Sequence, residues 1–287
     1  MTVNAASHIY FSQRLRLHYA DWGNSDAPNM VMVHGMQDHC RTWDALVEEF
    51  GDDYRIVAPD LRGHGDSEWV KGAAYDYRDY VYDLHQLVDQ AQLAPITLIG
   101  HSLGGAIAAL FAGVYPEMVR RLIVIEGIGL WRAAQPQPAA ADRIRDWVSE
   151  VRGLSGRLSR RYDTLSDAYH RMQQANPQLS QEQALHLTTH GSNQNEDGSF
   201  SWKYDNYIHN FSSTSMTEED IVSLWERITC PVLVINAEHG LEHRIGQDGS
   251  DAYFRDVRVR DISGAGHWTY HDRHEEVVGY MREFLSE

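Results

Sequence analysis

The 287-residue chain has only two cysteines, Cys40 and Cys230, far apart and in unlike contexts. They offer neither a disulfide framework nor a paired metal-ligand spacing, and Cys40 reads as a small buried thiol rather than a nucleophile. Long apolar runs are also missing; none approaches the roughly 18 residues of a membrane span. Residues 1–7 have neither the basic start nor the apolar stretch of a secretion signal, so a cytoplasmic location is expected. Positive charge is scarce. Lys and Arg number 25 against 41 Asp and Glu, a net charge of −16, and such a field repels nucleic acid and anionic membrane. The expected partner is a small-molecule substrate, with a homodimer left open. Histidine is plentiful at 16 residues, yet no His-Glu-x-x-His or comparable ligand pair is evident. His239 and His243 stand four apart across a glycine-containing loop, a poor zinc geometry, so neither metal nor cofactor is expected.

What is present is an alternation of strand-like and helix-like segments, the pattern of an α/β fold with a mostly parallel sheet. Residues 8–12 and 14–20 read as an opening antiparallel pair. Strands are then expected at 30–33, 54–58, 96–99, 121–125, 231–236 and 257–262, and the middle ones are nearly all apolar, as strands buried on both faces should be. Between them, Tyr77, Val81, Leu84 and Val88 share one helical face, and Leu103, Ile107, Leu110, Phe111 and Val114 another. The last helix carries Val277, Val278, Met281, Phe284 and Leu285, with Asp272 expected as its N-cap. From about Trp131 to Glu226 the rhythm breaks. No strand is evident there, helix starts appear at Ser180–Gln183 and Thr217–Asp220, and a polar loop spans 191–198. The expected organisation is a core of residues 1–130 and 229–287 with a helical cap at 131–228.

The residues that carry chemistry begin with Gly100-His101-Ser102-Leu103-Gly104, set between an apolar strand and an alanine-rich helix. This is the strand–turn–helix context of a G-x-S-x-G nucleophile. A serine hydroxyl needs an adjacent base, and His267, on the loop after the last strand, is the best placed. Oxyanion donors are expected from the amide of Leu103 and from that of Met36, after the tight turn at Gly35.

Four segments together resemble the α/β-hydrolase superfamily: His34-Gly35 after a strand, Asp60-Leu61-Arg62-Gly63-His64-Gly65-Asp66-Ser67, the serine turn, and Gly266-His267. The resemblance implies an eight-stranded, mostly parallel sheet, a Ser–His–acid triad and an acyl-enzyme. The Asp60–Ser67 run would then shape a wall of the site without taking part in the chemistry. Relatives acting on epoxides or carbon–halogen bonds use an aspartate at the turn, so Ser102 points to acyl transfer. Most relatives also carry an aspartate just after the strand that follows the cap. Here that segment reads Asn236-Ala237-Glu238-His239-Gly240, with Gly240 at the acid position. The substitute expected is Glu126, which ends the strand after the serine helix, with Glu238 and Glu242 as competitors. His34, His101 and Trp131 are expected to touch substrate, and Trp147, Trp202, Tyr204, Tyr207, Phe211 and Trp225 to furnish an aromatic cap. The function expected is a carboxylesterase for a small to medium, uncharged ester. The same triad is open to lactones or ring-fission diketones, and a non-catalytic ligand-binding relative is the alternative of another class.

Overall fold

The computed structural model describes residues 4–72, 74–130, 138–210, 216–247 and 249–287; Trp131 and Phe211 lie outside them. Eight strands form one sheet in the order β1-β2-β4-β3-β5-β6-β10-β11. They are β1 (Ala6–Ser12), β2 (Leu15–Asp21), β3 (Asn29–Val33), β4 (Arg55–Pro59), β5 (Ile96–His101), β6 (Val119–Ile125), β10 (Val232–His239) and β11 (Val257–Gly266). The β1–β2 and β2–β4 pairings are antiparallel and the remaining five are parallel. All eight expected strands are therefore present, each within four residues of its expected ends.

Strand pleating sends alternate side chains to opposite faces, and this divides the core. Leu122, Val124, Val232 and Val234 point to one face, where helices α2 (Tyr77–Gln90) and α3 (Leu103–Val114) cover them. Ile123, Ile125, Leu233 and Ile235 point to the other, against α1 (Asp44–Phe50) and the last helix. β5 is buried throughout because both faces are covered, hence its unbroken apolar sequence. The sidedness also gathers the chemistry. His34, Asp60, Ser102, Glu126, Gly240 and His267 all follow the C-terminal ends of their strands, at one edge of the sheet.

Between β6 and β10 lies the insertion: α4 (Ala140–Leu154), α5 (Leu165–Ala175), α6 (Gln181–Gly191) and α7 (Glu218–Trp225). The helix starts expected at Ser180 and Thr217 both form reciprocal capping boxes. The expectation of a strandless insertion fails. β7 (Arg161–Tyr162), β8 (Ser192–Gln194) and β9 (Phe200–Trp202) form a small antiparallel sheet, and the polar 191–198 loop is partly the hairpin joining β8 to β9. Strands of two or three residues are too short to display a period of two. α7 departs from the helical cap as well. It packs on α3, and Trp225 stacks on Phe254 at 5.2 Å within the main core.

The C-terminus contains a third correction. Helix α8 (Thr269–Asp272) precedes α9 (His274–Leu285), and Arg273, not Asp272, stands at the start of α9 without a side-chain cap. Asp272 instead accepts a hydrogen bond from the Gly266 amide at 2.7 Å, bracing the loop of His267. Among the described residues no helix is long and apolar enough to cross a membrane.

Trp225→Ala should lower unfolding free energy by about 3–5 kcal/mol, as for other fully buried tryptophans. Leu158→Ala, at an 86% exposed position, should change it by less than about 0.5 kcal/mol. Urea titration followed by far-UV circular dichroism reads both.

Candidate active site

Ser102 occupies a backbone conformation of φ 54° and ψ −116° between β5 and α3. A non-glycine residue at positive φ is strained, and the strain is held from both sides. The Ser102 amide donates to Ile125 O at 3.0 Å, and a Cβ on Gly104 would stand 2.1 Å from Val33 O, so the turn is pressed directly onto β3. Ser102 is 7% exposed, and its hydroxyl has no hydrogen-bond partner among the described residues. Leu103 is the first residue of α3, where a backbone N–H has no intrahelical acceptor.

The Gly35 loop lies against this turn. A Cβ on Gly35 would come within 3.2 Å of Ser102 Cβ and 2.9 Å of His101 Nδ1, so the bare glycine lets the Met36 segment approach the serine. His34 builds the loop from inside. Its Nδ1–H donates to Gly35 O at 2.7 Å, and its Nε2 accepts from the Leu61 amide at 3.0 Å. Burial pushes its pKa below the usual histidine range, consistent with this neutral tautomer. His101 is likewise internal. Its Nε2–H donates to the backbone carbonyl of His267 at 2.9 Å and its ring lies 4.7 Å from that of His267. Burial, helped by the neighbouring His267, holds His101 well below the histidine range. Both were expected to touch substrate; instead, both nitrogens of His34 and Nε2 of His101 serve the loops that carry Met36 and His267, because the strand ends bury these rings.

Glu126 follows β6 with φ 50° and is fully buried. Its Oε2 lies 3.3 Å from His267 Nδ1, and His267 itself is half-buried. A carboxylate with no access to water must be matched by donors and opposite charge, and two amides and a guanidinium supply them. Ala237 N donates to Oε1 at 2.6 Å and Leu241 N to Oε2 at 2.8 Å. Arg244 Nε stands 3.1 Å from Oε1, while its terminal nitrogens donate to the carbonyls of Leu241 and Ala237. The same two backbone residues thus serve the anion with their N–H groups and the cation with their C=O groups. Arg244 was missed by sequence reading, since nothing in the local pattern links it to Glu126.

Gly240 shows why a carboxylate at 126 and a side chain at 240 exclude one another. A Cβ built on Gly240 would fall 1.8 Å from Glu126 Oε2 and 2.3 Å from its Cδ. Of the competitors, Glu238 is exposed and accepts from the Gly264 amide at 2.8 Å. Glu242 is exposed too. Among the described residues Glu126 is the carboxylate that reaches the His267 ring.

Two clusters of potential metal ligands lie elsewhere among the described residues: His18, Cys40 and Asp60, and Asp44, His186 and His190. The first is consumed internally. His18 Nδ1 sits 2.8 Å from Asp60 and its Nε2 2.7 Å from Ser7 Oγ, while Asp60 also accepts from the amides of Cys40 and Asp66. Against burial, these contacts hold Asp60 well below the usual carboxylate range.

Gly240→Ala should cost about 1–3 kcal/mol of stability through overpacking against Glu126. In the Glu126→Ala background the same change should cost almost nothing. A coupling energy of about 1–3 kcal/mol from the double-mutant cycle, read by urea unfolding, is expected; additive effects would contradict the steric exclusion.

A model of the alpha/beta hydrolase family matches residues 30–279. A serine hydrolase-like protein of Danio rerio is 28% identical over 223 residues, 77% of this chain and 68% of that protein. Epoxide hydrolase 3 of Xenopus tropicalis is 27% identical over 300 aligned positions, 95% of this chain and 75% of that protein. Among solved structures, the thioesterase domain from the curacin biosynthetic pathway superposes with a TM-score of 0.85 at 20% identity, covering 97% of this chain and 99% of that one. With the strand order, the serine turn at the end of β5 and the family match over most of its length, the chain belongs to the alpha/beta hydrolase family.

Proposed function

We propose that this protein is a serine hydrolase that cleaves a small to medium, uncharged carboxylic ester through an acyl-enzyme. Ser102 is the nucleophile, His267 the general base and Glu126 the orienting acid; the amides of Met36 and Leu103 bind the oxyanion. The observation that carries this reading is the contact between His267 Nδ1 and Glu126 at the same sheet edge as the strained serine turn.

In the forward step His267 Nε2 takes the Ser102 proton as Oγ attacks the acyl carbonyl, and the carbonyl oxygen becomes an oxyanion facing the two amides. His267 then delivers that proton to the departing alkoxide, releasing the alcohol and leaving the acyl group on Oγ. Water, deprotonated by the same imidazole, attacks the acyl-enzyme; the carboxylic acid leaves and Ser102 regains its proton. Glu126 keeps the imidazole in the tautomer with hydrogen on Nδ1 and stabilises the cation formed twice per turnover. Each oxyanion donor is worth about 3 kcal/mol of barrier in comparable sites.

Some named relatives are epoxide hydrolases, and the nucleophile separates the readings. An epoxide opened by Ser102 would leave an alkyl ether on Oγ, with no carbonyl for water to attack. Acyl chemistry leaves an ester, which the same base can hydrolyse. The insertion, as a cap over the site, sets substrate choice. Met172, Trp202 and Tyr204 of the insertion close against Trp268 and the 37–39 loop there, with Lys203 beside them.

A fluorophosphonate probe should label the wild-type protein and fail to label Ser102→Ala; an unlabelled but folded wild type would refute the hydrolase. Glu126→Gln should lower kcat on a p-nitrophenyl ester by about a thousand-fold or more, and Glu238→Gln should leave it nearly unchanged. The paired change Glu126→Ala with Gly240→Asp should regain activity over Glu126→Ala alone, because the carboxylate returns to the vacated space.

A further inference from the structure

The insertion meets the core along a seam where α6 lies beside α1 and the turn preceding it. Three bonds fasten it there. His39 Nε2–H donates to Leu187 O at 3.0 Å, Gln183 Nε2 to His271 O at 3.2 Å, and His186 Nε2 to Arg41 O at 3.0 Å. One seam residue stands apart. His190 makes ring contacts with His186 and His39, but neither of its nitrogens has a hydrogen-bond partner among the described residues.

His186 and His190 are one helical turn apart on the same side of α6, with ring centroids 4.7 Å apart. This is the His-x3-His spacing that sequence reading did not register, and on a helix it aims two imidazoles at one point. Opposite them is Asp44, the first residue of α1, whose Oδ2 lies 3.3 Å from His186 Nε2. The three donor atoms all fall within 4.8 Å of one another. They line a cavity of about 500 Å³, open to solvent, that also borders Arg41, Glu48 and Gln183, which leaves room for water as a fourth ligand.

We propose that Asp44, His186 and His190 form a binding site for a zinc-class transition-metal dication that fastens α6 of the insertion to α1 of the core. Two imidazoles and one carboxylate are the donor set that zinc, cobalt and nickel accept at near-tetrahedral or slightly expanded geometry. Sodium, magnesium and calcium prefer all-oxygen sites and are excluded by the same chemistry. When the site fills, the His186 ring hydrogen passes to Nδ1 through solvent and Nε2, freed of its proton, turns from the Arg41 carbonyl to the metal. Arg41 opposes binding. Its guanidinium forks onto Asp44, with Nε to Oδ1 at 2.9 Å and the terminal nitrogen to Oδ2 at 2.6 Å. Nε also reaches Oδ2 at 3.0 Å, so Arg41 competes with the metal for this carboxylate, its fixed positive charge weakens the site, and Arg41 sets the affinity. The site is independent of Ser102 and of the hydrolase reading.

The test uses the full chain after chelator dialysis, with zinc chloride followed by thermal unfolding and cobalt chloride by visible absorption. Wild type should show a saturable rise in Tm with one equivalent of zinc, and the intense d–d bands of low-coordinate cobalt. His190→Ala, which breaks no hydrogen bond, should keep its metal-free Tm and weaken binding by more than about ten-fold; His190→Asn should behave alike. Arg41→Gln should bind zinc more tightly than wild type. A zinc response in His190→Ala equal to that of wild type would assign the metal to other histidines and overturn the site. Weaker binding in Arg41→Gln would overturn the role of Asp44 as ligand.

Discussion

The buried carboxylate of Glu126 is the constraint around which this end of the molecule is arranged. An anion with no access to water must be compensated, and one distant segment does so: the amides of Ala237 and Leu241 donate to it and the guanidinium of Arg244 supplies the opposite charge. The 237–244 loop is shaped by that demand. Gly240 follows from it, since any Cβ at that position would occupy the carboxylate's own volume. So does the imidazole of His267, which meets the remaining side of the anion.

The sheet supplies the rest of the positioning. Because the strands around β5 run parallel, their C-terminal ends deliver Gly35, Ser102, Glu126 and His267 to one edge, and two of these residues, Ser102 and Glu126, adopt positive φ there. Such backbone strain survives only where packing over-determines it. Gly104 against β3 and the hydrogen bond from Ser102 to Ile125 do so at the serine. Behind the site a second layer of buried histidines, His34 and His101, holds loops rather than facing solvent, and burial keeps both neutral.

The insertion is held to the core by polar contacts along its seam and by apolar ones, with Ile208 in the main core and Leu187 in a cluster with Trp268. α4 buries no residue completely, and α6 is tied through His39, Gln183 and His186. Part of what reads as insertion in sequence, α7 with Trp225, is core in space. Its apolar face finds α3 and Phe254, and hydrophobic burial rather than chain order decides where a segment belongs.

Local pattern determined the α/β class, the eight sheet strands, the serine turn, His267 and two capping boxes, because each rests on periodicity or on residues adjacent in the chain. The resemblance to the family marked Gly240 as the position that lacks the usual acid, and the buried strand end nominated Glu126 in its place. Tertiary structure alone decided that Glu126 reaches the His267 ring, that Arg244 stands beside it, and that His34 and His101 face inward. It alone revealed the three short strands, the true place of Asp272 beneath the Gly266 amide, and the meeting of Asp44 with His186 and His190. These depend on contacts between residues far apart in the chain, and the charge balance or free volume that makes them necessary exists only once the strands have paired.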